Sequence, residues 1–298
     1  MQLFLQALFS GASVGAVYAL LAAGFALLFA LGRYPNFAQG ELAAFSGMTA
    51  AAASGHGWPV WLVAVTSVTV GAGITILMYL VVRLARSADV LTVALVLLAL
   101  ALVLQGVELW IWGTDPLFIT SFVALPPIRF HGAVMTRLDL ITILSTIGVI
   151  AVLMAFLRLT RTGRVLGAWS ENAEAAALAG INVKVVLAVA FAIAGALAGV
   201  AGFFYTAQNG MDYMTGLPLT LKAFGAAALG GMRRPSYAVV GGFGLGWIES
   251  FFQAYGNGSK AELASLLFVL VAVILLGRRR GLDHGPTLTG ITADRVNL

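Results

Sequence analysis

The sequence contains no cysteine and few charged residues. Without a thiol the chain has no disulfide framework and no thiolate metal site. Only 10% of its 298 residues are charged and 60% are hydrophobic, whereas a globular domain carries roughly 25% charged residues. With a mean hydropathy of +0.98, this composition excludes a single soluble core. It predicts an all-α, polytopic transmembrane helical bundle.

Motifs of catalysis and of phosphate binding are also missing from the sequence. It has no nucleophile elbow G-x-S-x-G, no H-E-x-x-H and no phosphate-binding loop G-x-x-x-x-G-K-[ST]. The histidines, His56, His131 and His284, are scattered without the spacing of metal ligands. We therefore expect no enzyme activity and no cofactor in this chain. The net charge of +5 reflects basic cytoplasmic loops rather than nucleic-acid binding.

Long apolar segments make up most of the chain, and two of them are too short or too polar to be ordinary spans. The two weak segments are residues 36–54 and 219–231. The pattern predicts eight to nine membrane segments within one transmembrane domain, residues 1–281, followed by a polar tail at 282–298. The other segments are residues 3–31, 58–82, 90–112, 138–157, 185–205, 236–254 and 262–277.

The distribution of basic residues predicts the orientation of the bundle. When the arginines at 278–280 are placed in the cytoplasm and every segment crosses once, 13 of the 17 basic residues lie inside and 3 outside, with Lys222 in the membrane. Cytoplasmic loops are enriched in lysine and arginine. The N-terminus is therefore predicted outside and the C-terminus inside.

The most polar internal stretch, residues 158–184, lies between two apolar segments. Ser170 is a predicted N-cap of a short helix over residues 170–178, Glu171 and Glu174 suit its first turns, and Gly180 suits its left-handed end. Two readings remain open: a solvated loop, or a helix that docks on a cytosolic partner and transmits its movement.

Four charged residues lie within or beside apolar segments, where an ionised group is costly. Glu108 and Glu249 are predicted near outer helix ends, in contact with water. Glu41 and Lys222 belong to the two weak segments, and paired broken segments are typical of a substrate path in transporters. We hypothesise that Glu41 and Lys222 lie near such a path. They would then be partners in an ion pair. The alternative is that Glu41 caps a short helix at the cytoplasmic interface.

Several motifs, in the same order, resemble LivH-type permeases of the branched-chain amino acid class of ABC importers. Gln39 stands where the family commonly has histidine. The resemblance covers about residues 11–281. Its motifs are GAVYAL at 15–20, Gly24, NFAQGE at 36–41, RTGR at 161–164, ENAEAA at 171–176, GIN at 180–182, FAIAGALAGVAG at 191–202, KAF at 222–224 and LGG at 229–231.

This resemblance implies a permease subunit in a bacterial inner membrane, surrounded by lipid. Its partners would be two cytosolic ATPase subunits carrying ATP and magnesium, a periplasmic solute-binding protein and a second, related permease chain. Residues 164–181 would be the coupling element. The implied coupling residues are Arg164, Ser170, Glu171, Asn172, Glu174 and Gly180. The candidate path residues are Gly15, Tyr18, Asn36, Gln39, Glu41, Gly199 and Lys222.

The solute is not fixed by these patterns. Branched-chain amino acids are the first expectation, and other amino acids, urea, short amides and small carboxylates remain open. A stand-alone ion-coupled secondary transporter is the alternative class, because broken segments with buried charges suit it as well. A membrane-embedded enzyme is disfavoured by the missing catalytic motifs.

Overall fold

The computed structural model describes residues 2–84, 90–120, 127–130, 133–232 and 234–256. These residues form ten helices and one short hairpin. The elements in order are α1 (Gln2–Gly32), α2 (Gln39–Gly55), α3 (Val60–Leu84), α4 (Val90–Trp112), β1 (Ile128–Phe130), β2 (Ala133–Met135), α5 (Arg137–Leu159), α6 (Arg161–Glu171), α7 (Ala173–Leu178), α8 (Val183–Asn209), α9 (Gly216–Leu229) and α10 (Pro235–Tyr255).

Five of these helices are long and apolar enough to cross a membrane: α1, α3, α4, α5 and α8. The longest, α1, has 31 residues and is about 46 Å long at 1.5 Å per residue. A hydrocarbon core is roughly 30 Å thick. By contrast, α2 has 17 residues and α9 has 14, so both predicted weak segments are indeed short helices. The chain is a multi-pass membrane protein.

Helix α1 lies at the centre of the bundle and packs most extensively on α10. A Cβ added at Gly15 would meet the Phe243 Cα at 2.9 Å, and one added at Gly11 would meet the Trp247 Cα at 2.8 Å. The backbones therefore approach closely, as the four-residue spacing of small residues in α1 predicts. Gly15 thus lies in a helix–helix contact.

Helix α8 forms a second close contact, with α3 and α2. A Cβ at Gly199 would meet the Val68 Cα at 2.8 Å, and the Ser67 hydroxyl donates to the Gly199 carbonyl oxygen at 2.8 Å. This hydrogen bond between α3 and α8 stabilises their association in a membrane. Gly199, like Gly15, is therefore placed in helix packing.

The stretch 158–184 differs from its prediction in one respect. It forms two helices, α6 and α7, rather than one helix beginning at Ser170. Asn172 is the N-cap of α7, since its side chain accepts from the Ala175 N–H at 3.0 Å. Ser170 lies inside α6, where its hydroxyl donates to the Gly167 carbonyl at 2.7 Å. Asparagine is as good a cap as serine, and the sequence pattern did not distinguish them.

The end of α7 agrees with its prediction. Gly180 has φ +82, the left-handed conformation that glycine adopts without strain. Its N–H bonds the Ala177 carbonyl, and the Ile181 N–H bonds the Ala176 carbonyl, at 3.0 and 3.1 Å. These two bonds form a Schellman motif, which turns the chain sharply into α8.

The connection between α4 and α5 contains a short antiparallel hairpin of β1 and β2. Its register pairs Ile128 with Met135. Thr136 then caps α5 through a capping box with Asp139, which satisfies backbone donors at the helix start. The last predicted segment, residues 262–277, and the tail, 282–298, lie outside the described residues.

Candidate functional site

The polypeptide between α1 and α2 folds back into the bundle. Asn36 is buried, and its side-chain oxygen accepts from the Ala38 N–H at 3.2 Å while its amide donates to Gln39 at 3.1 Å. Gln39 in turn donates to the Ala194 carbonyl of α8 at 3.0 Å. In this turn the asparagine side chain accepts the hydrogen bond of a backbone N–H group that has no backbone carbonyl to donate to. Helix α2 therefore begins inside the protein, among buried groups.

The two short helices, α2 and α9, meet at their first turns. The Gly40 N–H donates to the Thr220 hydroxyl at 2.9 Å. A Cβ at Gly40 would meet the Gly216 carbonyl oxygen and, at 2.5 Å, the Thr220 nitrogen. Only glycine permits this approach. Two helix N-termini, each with the positive end of its dipole, therefore point into the same region.

Glu41 lies between these N-termini. Its residue is 2% exposed, and its carboxylate abuts Gly216, the first residue of α9. The Oε2 atom has no hydrogen-bond partner within the described residues. Glu41 lies in the first turn of the short helix α2, as the alternative of a helix cap predicted, but it is buried between two helices. The helix dipoles there offset part of the cost of burying this carboxyl group.

Lys222 does not pair with Glu41. Its ammonium group contacts the Glu249 Oε1 at 2.7 Å and donates to the Tyr18 hydroxyl at 2.9 Å. The Tyr18 hydroxyl donates to the Glu249 Oε2 at 2.8 Å. Tyr18, Lys222 and Glu249, which we call the buried triad, thus connect α1, α9 and α10. Their closed ring of hydrogen bonds offsets the desolvation of both charges.

The predicted wet positions of Glu249 and Glu108 are both wrong. Glu249 is 4% exposed and Glu108 is 0% exposed. Glu249 follows Gly242 and Gly246 at helical spacing, on the face that packs against α1. Likewise Glu108 follows the buried Leu97 and Ala101 on one face of α4. This helical spacing is the sequence signal from which the burial of both glutamates could have been predicted.

Glu108 is the carboxyl group with the fewest compensating partners in this region. Neither of its carboxylate oxygens has a hydrogen-bond partner within the described part of the chain. The charged groups acting on it are Glu41 and Asp212, both acidic. A buried carboxylate without a donor is costly, and such groups are candidates for a functional role.

Most of the predicted coupling residues are exposed on α6, on α7 or in the turns beside them. Leu166 and Ala176 are buried, whereas Leu178 is 91% exposed. The Trp169 ring nitrogen donates to the Leu31 carbonyl at 3.2 Å and the Tyr79 hydroxyl donates to the Lys184 carbonyl at 2.8 Å. The first bond attaches α6 to α1, and the second attaches the start of α8 to α3. Arg164, Glu171, Asn172, Glu174 and Gly180 are exposed and Ser170 is half-buried.

These features define a class: a polytopic helical membrane protein with two short helices meeting inside the bundle and an exposed polar helix pair between two membrane helices. Residues 7–276 match the family model described as "Branched-chain amino acid transport system / permease component". Because that match covers most of the sequence, the chain belongs to this family of permease components.

Individual relatives agree with the family assignment over nearly the full length. The high-affinity branched-chain amino acid transport system permease protein LivH of Escherichia coli K12 is 30% identical over 303 residues, covering 95% of this chain and 96% of LivH. BraD of Pseudomonas aeruginosa, with the same description, is 28% identical over 95% and 96% of the two chains. The fructose import permease protein FruF of Bifidobacterium longum is 25% identical, over 87% and 74%.

Proposed function

We propose that this chain is the transmembrane permease subunit of an ATP-binding-cassette importer in a bacterial inner membrane, and that it translocates a small polar organic solute. The family match across residues 7–276 carries this proposal. A branched-chain or other amino acid is the first candidate, because LivH and BraD are named for branched-chain amino acid transport. FruF is named for fructose, so relatives of this chain are named for different solutes. Urea, short amides and small carboxylates therefore remain candidates as well.

In this proposal the solute passes near the meeting point of α2 and α9. Short helices that end inside the bundle expose N–H groups and dipoles to a passing solute. Asn36, Gln39 and Glu41 lie on α2 or the turn before it, and Thr220 of α9 contacts Gly40. The buried triad lies on α1, α9 and α10 and holds these helices together.

The helix pair α6–α7 is the proposed coupling element. Two cytosolic ATPase subunits would bind ATP and magnesium, and this chain would need no cofactor of its own. Arg164, Glu171, Glu174 and the exposed Leu178 are free to meet a groove on an ATPase. Because a hydrogen bond attaches α6 to α1, and α7 leads through the turn at Gly180 directly into α8, movement of the ATPases would pass to the membrane helices.

The remaining partners complete the importer. A second, related permease chain would form a heterodimer with this one within the lipid, and a periplasmic binding protein would deliver the solute. This assembly requires the N-terminus outside and the C-terminus inside, the orientation that the basic residues favour.

A stand-alone, ion-coupled transporter is the second candidate, since it too would use short helices and buried charges. Coexpression of this permease with the ATPase and binding-protein genes adjacent to its own gene separates the two. We expect a copurifying complex whose ATPase activity rises with one solute from a panel of amino acids, sugars, urea and amides. Uptake by the permease alone, driven by a proton or sodium gradient, would contradict the importer.

A further inference from the structure

A cavity of about 210 Å³ lies where the last turns of α1 and α5 meet α6 and the first turn of α10. The basic residues around α6 predict that this end of the bundle lies at the cytoplasmic membrane surface. The cavity is smaller than the pockets of about 300–1,000 Å³ that enclose a drug-sized ligand. It therefore suits a small chemical group at the level of the inner leaflet.

One part of the cavity wall is apolar. Leu27 and Leu31 of α1 and Met154 and Leu157 of α5 line it. Both helices are long and apolar enough to cross a membrane, and these four side chains lie near the ends of those helices. This part of the wall suits methylene groups, because contact with water would leave its apolar surface hydrated.

The other part of the wall is basic. Arg158 lies in the last turn of α5, and Arg234 directly precedes α10. Both line the cavity, and no aspartate or glutamate does so among the described residues. Neither arginine is in a salt bridge within the described part of the chain. Guanidinium groups bind phosphate oxygens through two parallel hydrogen bonds, so this part of the wall suits a phosphate group.

Neutral groups add to the preference for an anion. Ser170 of α6 and Ser236 of α10 bring hydroxyl groups to the lining. No side chain among the described residues caps the start of α10. The positive end of its helix dipole is therefore not offset by a local acceptor, which favours a negative charge in the cavity.

We propose that this cavity binds the headgroup of an anionic phospholipid of the inner leaflet, with the phosphate at Arg158 and Arg234 and the methylene groups against the apolar wall. Basic pockets between membrane helices on the cytoplasmic side suit such headgroups. A soluble phosphate ester has the same charge, but it would leave the apolar wall in contact with water. The lipid matches both parts of the wall.

A lipid bound there would contact α1, α5, α6 and α10 together, and would therefore stabilise their packing. The inference goes beyond the proposed importer function, because it concerns the surrounding membrane and not the solute. It also requires no partner subunit, so the chain alone is sufficient for its test.

The test is thermal denaturation of the purified full-length chain in lipid nanodiscs of two compositions. One contains phosphatidylcholine alone, and the other contains phosphatidylcholine with phosphatidylglycerol, which is anionic. Phosphatidylglycerol should raise the denaturation midpoint of the wild type by about 2 °C or more. Glycerol 3-phosphate added to the phosphatidylcholine nanodiscs supplies the anionic headgroup without acyl chains, and should give less than half of this increment.

Three variants assign the increment to the cavity. Arg158→Gln and Arg234→Gln each remove one guanidinium group from an exposed position, and each should lose most of the increment. Gly167→Leu keeps both arginines and fills the cavity from α6. A Cβ at Gly167 would meet no atom within 4 Å, and leucine favours a helix over glycine. This variant should be as stable as the wild type in phosphatidylcholine and should lose the increment.

Two matched variants are the controls. Arg83→Gln removes an exposed arginine in the last turn of α3, outside the cavity. Gly148→Leu adds the same side chain as Gly167→Leu at a position on α5 where a Cβ would also meet no atom within 4 Å. Both should retain the full increment.

Four results would overturn the lipid site. Equal midpoints in the two nanodiscs would show that the anionic lipid does not bind. A full increment with glycerol 3-phosphate would identify a soluble phosphate ester as the ligand. Retention of the increment by Gly167→Leu or by both arginine variants would place the lipid outside the cavity. Loss of the increment in Arg83→Gln would show a general effect of surface charge.

Discussion

At the scale of single residues, the buried charges fall into two environments. Lys222 and Glu249 satisfy each other and share the Tyr18 hydroxyl, whereas Glu108 has no donor within the described residues. Removing one member of a satisfied ion pair leaves the other buried and alone, which is strongly destabilising. Removing a carboxylate without a partner has no such cost. The two environments therefore predict opposite responses to neutralising substitutions.

The buried triad gives the first prediction. Lys222→Met leaves Glu249 ionised and buried, and should lower the free energy of unfolding by about 3 kcal/mol. The double variant Lys222→Met, Glu249→Gln removes both charges and should recover most of that loss. The measurement is the denaturation midpoint in nanodiscs by intrinsic fluorescence. A single variant as stable as the wild type would show that the triad contributes little.

Sequence alone identified the individual charges but not their partners. The burial of Glu249 and Glu108 can be predicted from their helical spacing relative to neighbouring buried residues. The pairing of Lys222 with Glu249 depends on how α9 and α10 pack on α1, a long-range arrangement that periodicity does not encode. Helix spacing shows which face is buried, and it does not show which of two buried glutamates will meet a lysine.

At the scale of elements, the helix bounds follow from hydropathy and local chemistry. The predicted segment 90–112 coincides with α4, because an uninterrupted apolar run of that length has few alternatives in a membrane. The division between α6 and α7 was missed. There Ser170 and Asn172 both suit a cap, and tertiary contacts such as the Trp169–Leu31 hydrogen bond extend α6 past the serine.

The contact of α2 with α9 gives an element-scale prediction. Gly40→Ala places a methyl group against the Gly216 carbonyl and the Thr220 nitrogen, and should destabilise the protein by about 1–3 kcal/mol through overpacking. Separation of the two first turns should also reduce solute uptake by the reconstituted importer at least as much as it reduces the amount of folded protein.

Gly55→Ala is the matched control, at the other end of the same helix. A Cβ there would meet no atom within 4 Å, and alanine favours a helix over glycine. Its stability and uptake should equal or exceed those of the wild type. If Gly40→Ala had the same stability and uptake as Gly55→Ala, the close approach of α2 and α9 would be needed for neither.

The exposed side of α7 gives a second element-scale prediction. Leu178 is 91% exposed, so Leu178→Glu removes no core contact and should change stability by less than about 0.5 kcal/mol. It should nevertheless reduce copurification of the ATPase subunits, because a charge would enter an apolar contact. Leu178→Met preserves the apolar surface and should copurify normally. Equal recovery with Leu178→Glu would place the contact elsewhere.

At the scale of the whole molecule, length and composition were sufficient for the class, and family membership follows from a match over most of the chain. The solute is harder to predict from the sequence. LivH and FruF both resemble this chain over most of its length, but they are named for different solutes.

The orientation of the bundle is the prediction on which the importer geometry depends. Because the chain has no cysteine, a single introduced thiol reports on one position. Glu174→Cys on α7 and Asp115→Cys after α4 are both exposed sites, and the excess of basic residues around α6 and α7 places only the first in the cytoplasm. A membrane-impermeant maleimide should therefore label Asp115→Cys in intact spheroplasts and Glu174→Cys only after permeabilisation. Labelling of Glu174→Cys in intact spheroplasts would put α7 on the external face, out of reach of cytosolic ATPases, and the coupling role would have to be abandoned.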